Sequence, residues 1–410
     1  LVQPDVKRRR VRLLVTIVLV GTVCSIAYHY ASGFYFGYAY PRSTFLFLPS
    51  DHFNDWDNVY IFAKAYLRGI PGPFAYFPFA ILIAVATTVV PMRVGWALVI
   101  LLFLVVFALM LRDWVVDCEE HALTKVQYGF ILVALSYPVL FALDRTNLEI
   151  LIFAFIAGFF YFLYVRESPW LAALLLAAAI AFKLYPATLL VLLIAERRVK
   201  TFVLAVVFAL GLTVIGTVVT AGLGHYSLSA FWQMNANGRA FYQQTMVISG
   251  GGVQHGHSLW GLVGLSSVLH GVQAAHWRTT LYSAAAVLIF LLLAVHVVFR
   301  ETERWKRVML VMVSATLLPF VSADYTLIQL YFPLVFFLNA RRVSRWDFAY
   351  VALFAVLLIP VDYHYFMLAG DGVSTSVIVY PLAMVTLMVL AILDSQRVVR
   401  HLGVETGGQA

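Results

Sequence analysis

Charge is what this chain has least of. Only 12% of its 410 residues are Asp, Glu, Lys or Arg, against 62% hydrophobic. A soluble domain is about a quarter charged, so a water-soluble globular protein is excluded. Cysteine is almost missing too: Cys24 and Cys118 are the only two. They exclude a disulfide framework and a cysteine-built zinc site, and say little about redox compartment. Short strands of alternating polarity are absent, which excludes a porin-type barrel. No basic cluster is interleaved with aromatics on a soluble stretch, so nucleic acid is excluded as a partner despite the formal net charge of +8. No internal repeat or linker divides the chain, and a single integral membrane domain over residues 1–410 is expected.

What is there instead is a series of apolar runs. Crossing a hydrocarbon core of ~30 Å takes ~20 helical residues. The runs at about 11–31, 95–112, 127–143, 147–165, 169–182, 184–196, 201–221, 279–299, 308–322, 325–340, 348–362 and 374–393 imply an all-α polytopic membrane protein with about twelve transmembrane helices. The basic residues Lys7 to Arg12 precede the first run, which continues without a small-residue cleavage site and reads as a retained signal anchor. Residues 76–91, bracketed by Pro78 and Pro91, are read as a helix in the outer interface. Pro186 and the mid-run Lys183 split 169–196 into two short helices. This arrangement puts 20 of the 28 Lys and Arg on the inside, as cytoplasmic loops prefer. Both termini then face inward, and outer loops at about 32–94 and 222–278 carry the polar material. Function is therefore expected on the outer face, where the polar, irregular material is.

Several outer-face stretches could carry chemistry. In "DWDNVYIFAKAYLRG" (55–69), Asp55, Asn58 and Phe62 follow helical spacing, and Asp51, Asp55 and Asp57 supply a candidate general base. Acids at a helix start also serve simply as caps. The Asp-Trp-Asp triplet resembles a metal-binding DxD, and His255-Gly-His257 a ligand pair, but no third ligand follows by spacing. No cofactor is expected, a divalent metal being only weakly supported. "FALDRTNLEILI" sets Asp144, Arg145, Asn147 and Glu149 at a membrane boundary, with Glu149 inside an apolar run, where an ionisable group is costly. Lys183 in "IAFKLYPATLL" suits an anion at membrane depth, or simply snorkels. "WQMNANGRAFYQQ" and "SGGGVQHGHSLWGL" offer Arg239, His255 and His257 toward a phosphate or sugar, with Gly250 to Gly252 as a lid-like segment. "PFVSADYTLIQLYFPLVFF" adds Asp324.

In this order, the motifs resemble glycosyltransferase family 87, of the GT-C superfamily. The resemblance rests on Asp55, Trp56, Tyr60, Ala63, Ala65 and Gly69, and on Tyr76 in "FAYFPFAIL". It continues through Asp144, Arg145, Asn147 and Glu149, then Lys183 with Pro186, and ends in "HSLWGL". A Ser-Trp-x-His-like element frequent in the family is replaced here by Ser322, Asp324 and Tyr325. The resemblance implies inverting transfer of a sugar, mannose or arabinose among others, from a polyprenyl-phosphate donor. The acceptor would be a glycolipid, a polysaccharide or a protein. It implies one carboxylate as base, taken as Asp55, with Asp57 and Asp51 in reserve. Arg145, Lys183, Arg239, His255, His257, Tyr60, Asn147, Glu149, Tyr76 and Asp324 would lie around the donor. Two other classes fit part of the pattern: a lipid-linked sugar flippase or transporter, and a polysaccharide ligase or polymerase using a lipid-pyrophosphate donor.

Overall fold

The computed structural model describes residues 4–46, 52–70, 75–114, 122–253, 256–367 and 372–406. From the N-terminus, α1 (Pro4–Phe34) precedes two short helices, α2 (Asn54–Tyr66) and α3 (Pro78–Thr87), and the long α4 (Met92–Trp114). A bent pair, α5 (Ala122–Ala134) and α6 (Tyr137–Arg145), leads into α7 (Glu149–Tyr164), α8 (Pro169–Phe182), α9 (Leu190–Ala195) and α10 (Val199–Leu223). Next come α11 (Leu228–Tyr242), α12 (Leu259–Leu269) and α13 (His276–Phe299). The remainder holds α14 (Arg304–Leu317), α15 (Tyr331–Leu338), α16 (Asp347–Leu358) and α17 (Ser376–Thr406). One antiparallel hairpin, β1 (Tyr365–Met367) with β2 (Gly372–Ser374), pairs Tyr365 with Ser374 and Met367 with Gly372.

Among the described residues, five helices are long and apolar enough to cross a membrane: Val6–Phe34, Met92–Met110, Val199–Leu223, His276–Phe299 and Ser376–Ser395. A sixth crossing is available if Gln127–Ala134 and Tyr137–Arg145, bent by 55°, count as one. The bend has a local cause. Pro138 lies in the first turn of α6, has no N–H to give to Ala134 O and would clash with that carbonyl in a continuous helix, and Ser136 between the two helices is extended. The other expected crossings are shorter apolar helices. At 1.5 Å per residue, the 16 residues of α7 reach only about 24 Å. The twelve-crossing count is therefore not reproduced by length. The stretch 222–278, expected to be irregular, is largely helical, with α11, a π-helical turn (Gln243–Ile248) and α12.

Packing explains how the short helices are held. The buried face of α8 is Ala172, Ala173, Leu176 and Ala179, and small side chains let neighbouring backbones approach. Where α10 crosses the start of α3, a Cβ on Gly216 would sit 2.7 Å from Phe79 N and 2.8 Å from its Cα. Likewise Gly95 of α4 leaves room for Trp56, whose indole Nε1–H donates to Met92 O at 3.0 Å.

One end of the bundle is tied by charge. Arg10, buried in α1, donates to Asp347 Oδ2 and to the carbonyls of Phe337, Ala340 and Arg342. Lys306 reaches Asp394 at 2.8 Å. The Tyr164 hydroxyl donates to Glu196 at 2.9 Å, and Arg304 reaches the same oxygen at 3.3 Å. The end of α7, the end of α9 and the start of α14 therefore meet there. The opposite ends of α7 and α8 lead to Glu149 and Lys183, away from that basic end.

The Gly216 contact is with backbone, which cannot rotate aside. Gly216→Ala is expected to lower stability in detergent by about 1–3 kcal/mol, as overpacking does. Gly211→Ala in the same helix, where an added Cβ would meet nothing within 4 Å, is expected to be neutral or slightly stabilising. Thermal unfolding of the two variants checks the contrast.

Candidate active site

The first turn of α2 is placed by its entry. Phe53 adopts a left-handed φ of 62°, donates its N–H to Asp144 O at 2.7 Å and stacks on Trp96 with centroids 4.5 Å apart. With Trp56 buried behind it, α2 turns Asp55, Asn58, Val59 and Phe62 into a cavity of about 500 Å³. Positions i, i+3, i+4 and i+7 share one helix face, so the spacing in the sequence is the face seen in the structure. Asp57 stands two residues on, where helical geometry turns it away from Asp55. It does not line the cavity, and the two cannot grip one ion as a DxD pair. Partial burial pushes the Asp57 carboxyl above its usual range.

Asp55 is held from both oxygens. The Arg145 guanidinium donates to Oδ1, and Asn147 Nδ2 donates to Oδ2 at 2.7 Å. The turn between α6 and α7 makes this reach possible: Thr146 is left-handed at φ 45°, and Asn147 Oδ1 accepts the Glu149 N–H at 2.9 Å. An ionised carboxylate has about four lone-pair sites, so Asp55 retains capacity to accept a further hydrogen bond from a ligand.

Glu149 has no exposed surface. Its carboxylate accepts from Lys183 Nζ at 2.8 Å, from Gln329 Nε2 at 3.0 Å and from the Tyr185 hydroxyl. Lys183 terminates α8 with extended backbone, φ −140° and ψ 148°, and Pro186 starts a 3-10 turn (Tyr185–Leu189). The break predicted at "AFKLYP" thus delivers an ammonium to the cavity wall, with its side chain 27% exposed and 5.8 Å from the Tyr325 ring centroid. Tyr76 also lines the cavity, its backbone carbonyl fixed by Asn235 Nδ2 at 2.7 Å. Burial pushes the Tyr76 phenol up to about 12, against the pull of Lys183 and with the help of Asp55, so it remains a neutral O–H donor at working pH. Tyr185, Tyr242 and Tyr325 complete an aromatic lining.

A further part of the lining comes from residues 321–323, 325 and 326. Ser322 and Thr326 line the cavity, and behind them lies His257, fully buried. His257 Nε2 is 3.0 Å from Ser322 Oγ and 3.1 Å from Thr326 Oγ1, and the two hydroxyls are 2.9 Å apart. His257 Nδ1 meets Asp324 Oδ1 at 3.1 Å, and the Tyr137 hydroxyl donates to Asp324 Oδ2 at 2.8 Å.

The structure thus brings Asp55, Asn147, Lys183 and Tyr76 onto one cavity, with Arg145 and Glu149 as their direct supports. Other residues grouped with them from sequence stand apart. The Tyr60 hydroxyl donates to Val90 O at 3.0 Å, because its helix face is the buried one shared with Trp56. Arg239 is exposed on α11 and does not line the cavity, whereas Tyr242 one turn later does. His257 and Asp324 bond each other behind the wall. Asp51 and His255 lie outside the described residues. The glycine segment is packed rather than lid-like: a Cβ on Gly250 would meet Val268, and one on Gly252 would meet Val321, both within 2.7 Å. No motif in the sequence singles out Tyr185, whereas the lone amide of Gln329 in the run "TLIQLYF" is a signal of a buried polar partner. Among the described residues, no group of three or more His, Cys, Asp or Glu side chains could hold a metal ion.

Comparison with known proteins gives one match. The model of glycosyltransferase family 87 matches residues 73–323, more than half of the chain. No curated protein and no solved structure matches.

Removing one partner of a buried pair strands the other groups. Glu149→Gln is expected to cost about 3 kcal/mol of stability. The double variant Glu149→Gln/Lys183→Met is expected to cost less than the sum of the single changes. Unfolding of all three variants in detergent closes the cycle, and additive costs would show that the two side chains do not interact.

Proposed function

Since the chain belongs to glycosyltransferase family 87, we propose that it transfers a sugar from a polyprenyl-phosphate donor to an acceptor hydroxyl, with inversion at the anomeric carbon. The observation that carries this reading is the pairing of a fixed carboxylate, Asp55, with an ammonium, Lys183, on one cavity among apolar helices. Such a cavity suits a ligand with a charged head and a lipid tail. Lys183 faces the donor phosphate, with the Tyr76 hydroxyl as a further donor. Asp55 accepts the proton of the acceptor hydroxyl as its oxygen bonds to the anomeric carbon. The bond from that carbon to the phosphate oxygen breaks, and polyprenyl phosphate leaves as an anion beside Lys183. Arg145 acts through Asp55, orienting the base, rather than through the phosphate.

In this reading the protein is a GT-C type enzyme acting as one integral membrane unit. It has about twelve membrane passes, with short helices such as α7 and α8 counted as passes. The end tied by Arg10, Lys306 and Glu196 faces the cytoplasm, in keeping with the inward bias of cations. The cavity opens toward the outer face of a bacterial cytoplasmic membrane. The sugar is mannose, arabinose or a relative, and the acceptor a glycolipid, polysaccharide or protein. The ligase reading draws on Arg239, His255 and His257; His255 lies outside the described residues, and the exposed position of Arg239 and the buried position of His257 favour the transferase.

The test uses the full chain in vesicles with radiolabelled polyprenyl-phosphate sugars and candidate acceptors. Asp55→Asn is expected to lower transfer by about 10²–10⁴-fold while donor binding persists. Asp57→Asn is expected to leave the rate within about threefold, as for a residue off the cavity. Undiminished transfer by Asp55→Asn would remove it as the base. Lipid movement across the bilayer without transfer from any donor would establish a transporter instead.

A further inference from the structure

The transfer chemistry leaves without a role a buried Asp–His–hydroxyl chain whose two hydroxyl residues line the same cavity. His257 and Asp324 are 0% and 1% exposed, deep enough that every polar atom must be matched by a partner. Asp324 is satisfied at both oxygens, by Tyr137 O–H and by His257 Nδ1. A carboxylate oxygen accepts, so the imidazole proton that meets Asp324 is on Nδ1, and the hydroxyls of Ser322 and Thr326 can give their protons to Nε2.

Two hydroxyls compete for that acceptor, Ser322 at 3.0 Å and Thr326 at 3.1 Å, with 2.9 Å between them. Each has one proton. Either both protons point to Nε2, or one points to Nε2 and the other to its neighbouring hydroxyl oxygen. With these contacts made, both protons are directed into the protein and lone pairs are left toward the cavity; a hydroxyl turned outward would give up one of them. A wall of lone pairs repels a phosphate, whose oxygens need donors. It suits a group that brings its own O–H protons.

We infer that Ser322 and Thr326 form a sugar-hydroxyl subsite, held in accepting orientation by His257 and Asp324. The inference rests on the lipid-phosphate donor reading. It divides the cavity by chemistry: Lys183 and Tyr76, as donors, take the phosphate, and the Ser322–Thr326 wall takes hydroxyls of the transferred sugar. The wall is also fixed at the backbone, since His257 N–H donates to Ser322 O at 2.9 Å and Gly256 pairs with Ala323. His257 and Asp324 are positioning residues, acting through the two hydroxyls.

The test measures binding of two kinds of probe to the purified full chain: bare decaprenyl phosphate, and the same lipid phosphate carrying mannose, arabinose or glucose. Ser322→Ala/Thr326→Val removes both hydroxyls with little change of volume. It is expected to weaken the best-bound sugar lipid roughly tenfold, the scale of one or two lost neutral hydrogen bonds, and to leave the bare lipid within about twofold. Thr326→Ser is expected to keep wild-type binding. Asp324→Asn lets the imidazole proton move to Nε2 and turns the hydroxyls outward as donors. It is expected to weaken the sugar lipid while the bare lipid binds as well or better. A melting temperature for each variant separates lost binding from lost fold. Equal weakening of both probes by the double variant would place the phosphate on this wall and overturn the inference. So would unchanged binding of every sugar lipid. If the wild type binds neither kind of probe, the donor reading itself falls, a result distinct from the other two.

Discussion

A carboxylate stripped of water needs donors to replace the water, and Glu149 makes that demand at the centre of this protein. Lys183, Gln329 and Tyr185 come from three separate elements to meet it. Meeting it has structural consequences. Lys183 must leave the helix that carries it, so α8 stops at Phe182 and the chain turns back through a 3-10 turn rather than crossing in one piece. The turn leaves open space beside it, and that space is the cavity. Site and interruption therefore have a common origin in one buried ion pair.

Asp55 shows the same logic at the cavity edge. A carboxylate on the first turn of a short helix would ordinarily swing freely in water. Here Arg145 and Asn147 take one oxygen each, and both belong to the turn that also presents Glu149. A single short turn thus orients the Asp55 carboxylate and anchors the ammonium's partner together. If Asp55 is the base, as proposed, little rearrangement is left for the moment of reaction.

Much of this could be read from the residues, and the limits have physical reasons. The α2 face was visible as the spacing of Asp55, Asn58 and Phe62, because helical periodicity is a local property. The break at Lys183 was visible because a charge and a proline inside an apolar run are costly. Tyr60 and Arg239 were grouped with the ligand on motif and charge, but which face of a helix is buried depends on partners far away in sequence. The relay of Ser322, Thr326 and His257 escaped for the same reason, since its hydrogen bonds join residues 65 and 69 positions apart. The count of crossings exceeds the long helices because hydropathy registers apolar character rather than helix length, and α7, α8 and α16 are apolar but short.

The antiparallel neighbours α7 and α8 have a further electrical effect. One starts and the other ends beside the same cavity, at Glu149 and Phe182. A helix start carries roughly half a positive charge and a helix end roughly half a negative one. Side by side, the two backbone contributions largely cancel, unlike the anion sites in which a lone helix start supplies the field. This pair of helix ends therefore adds little field of its own, and the charge beside it comes mainly from Lys183 and Glu149. The residues that break α8 are thus also the ones that give this part of the cavity its sign.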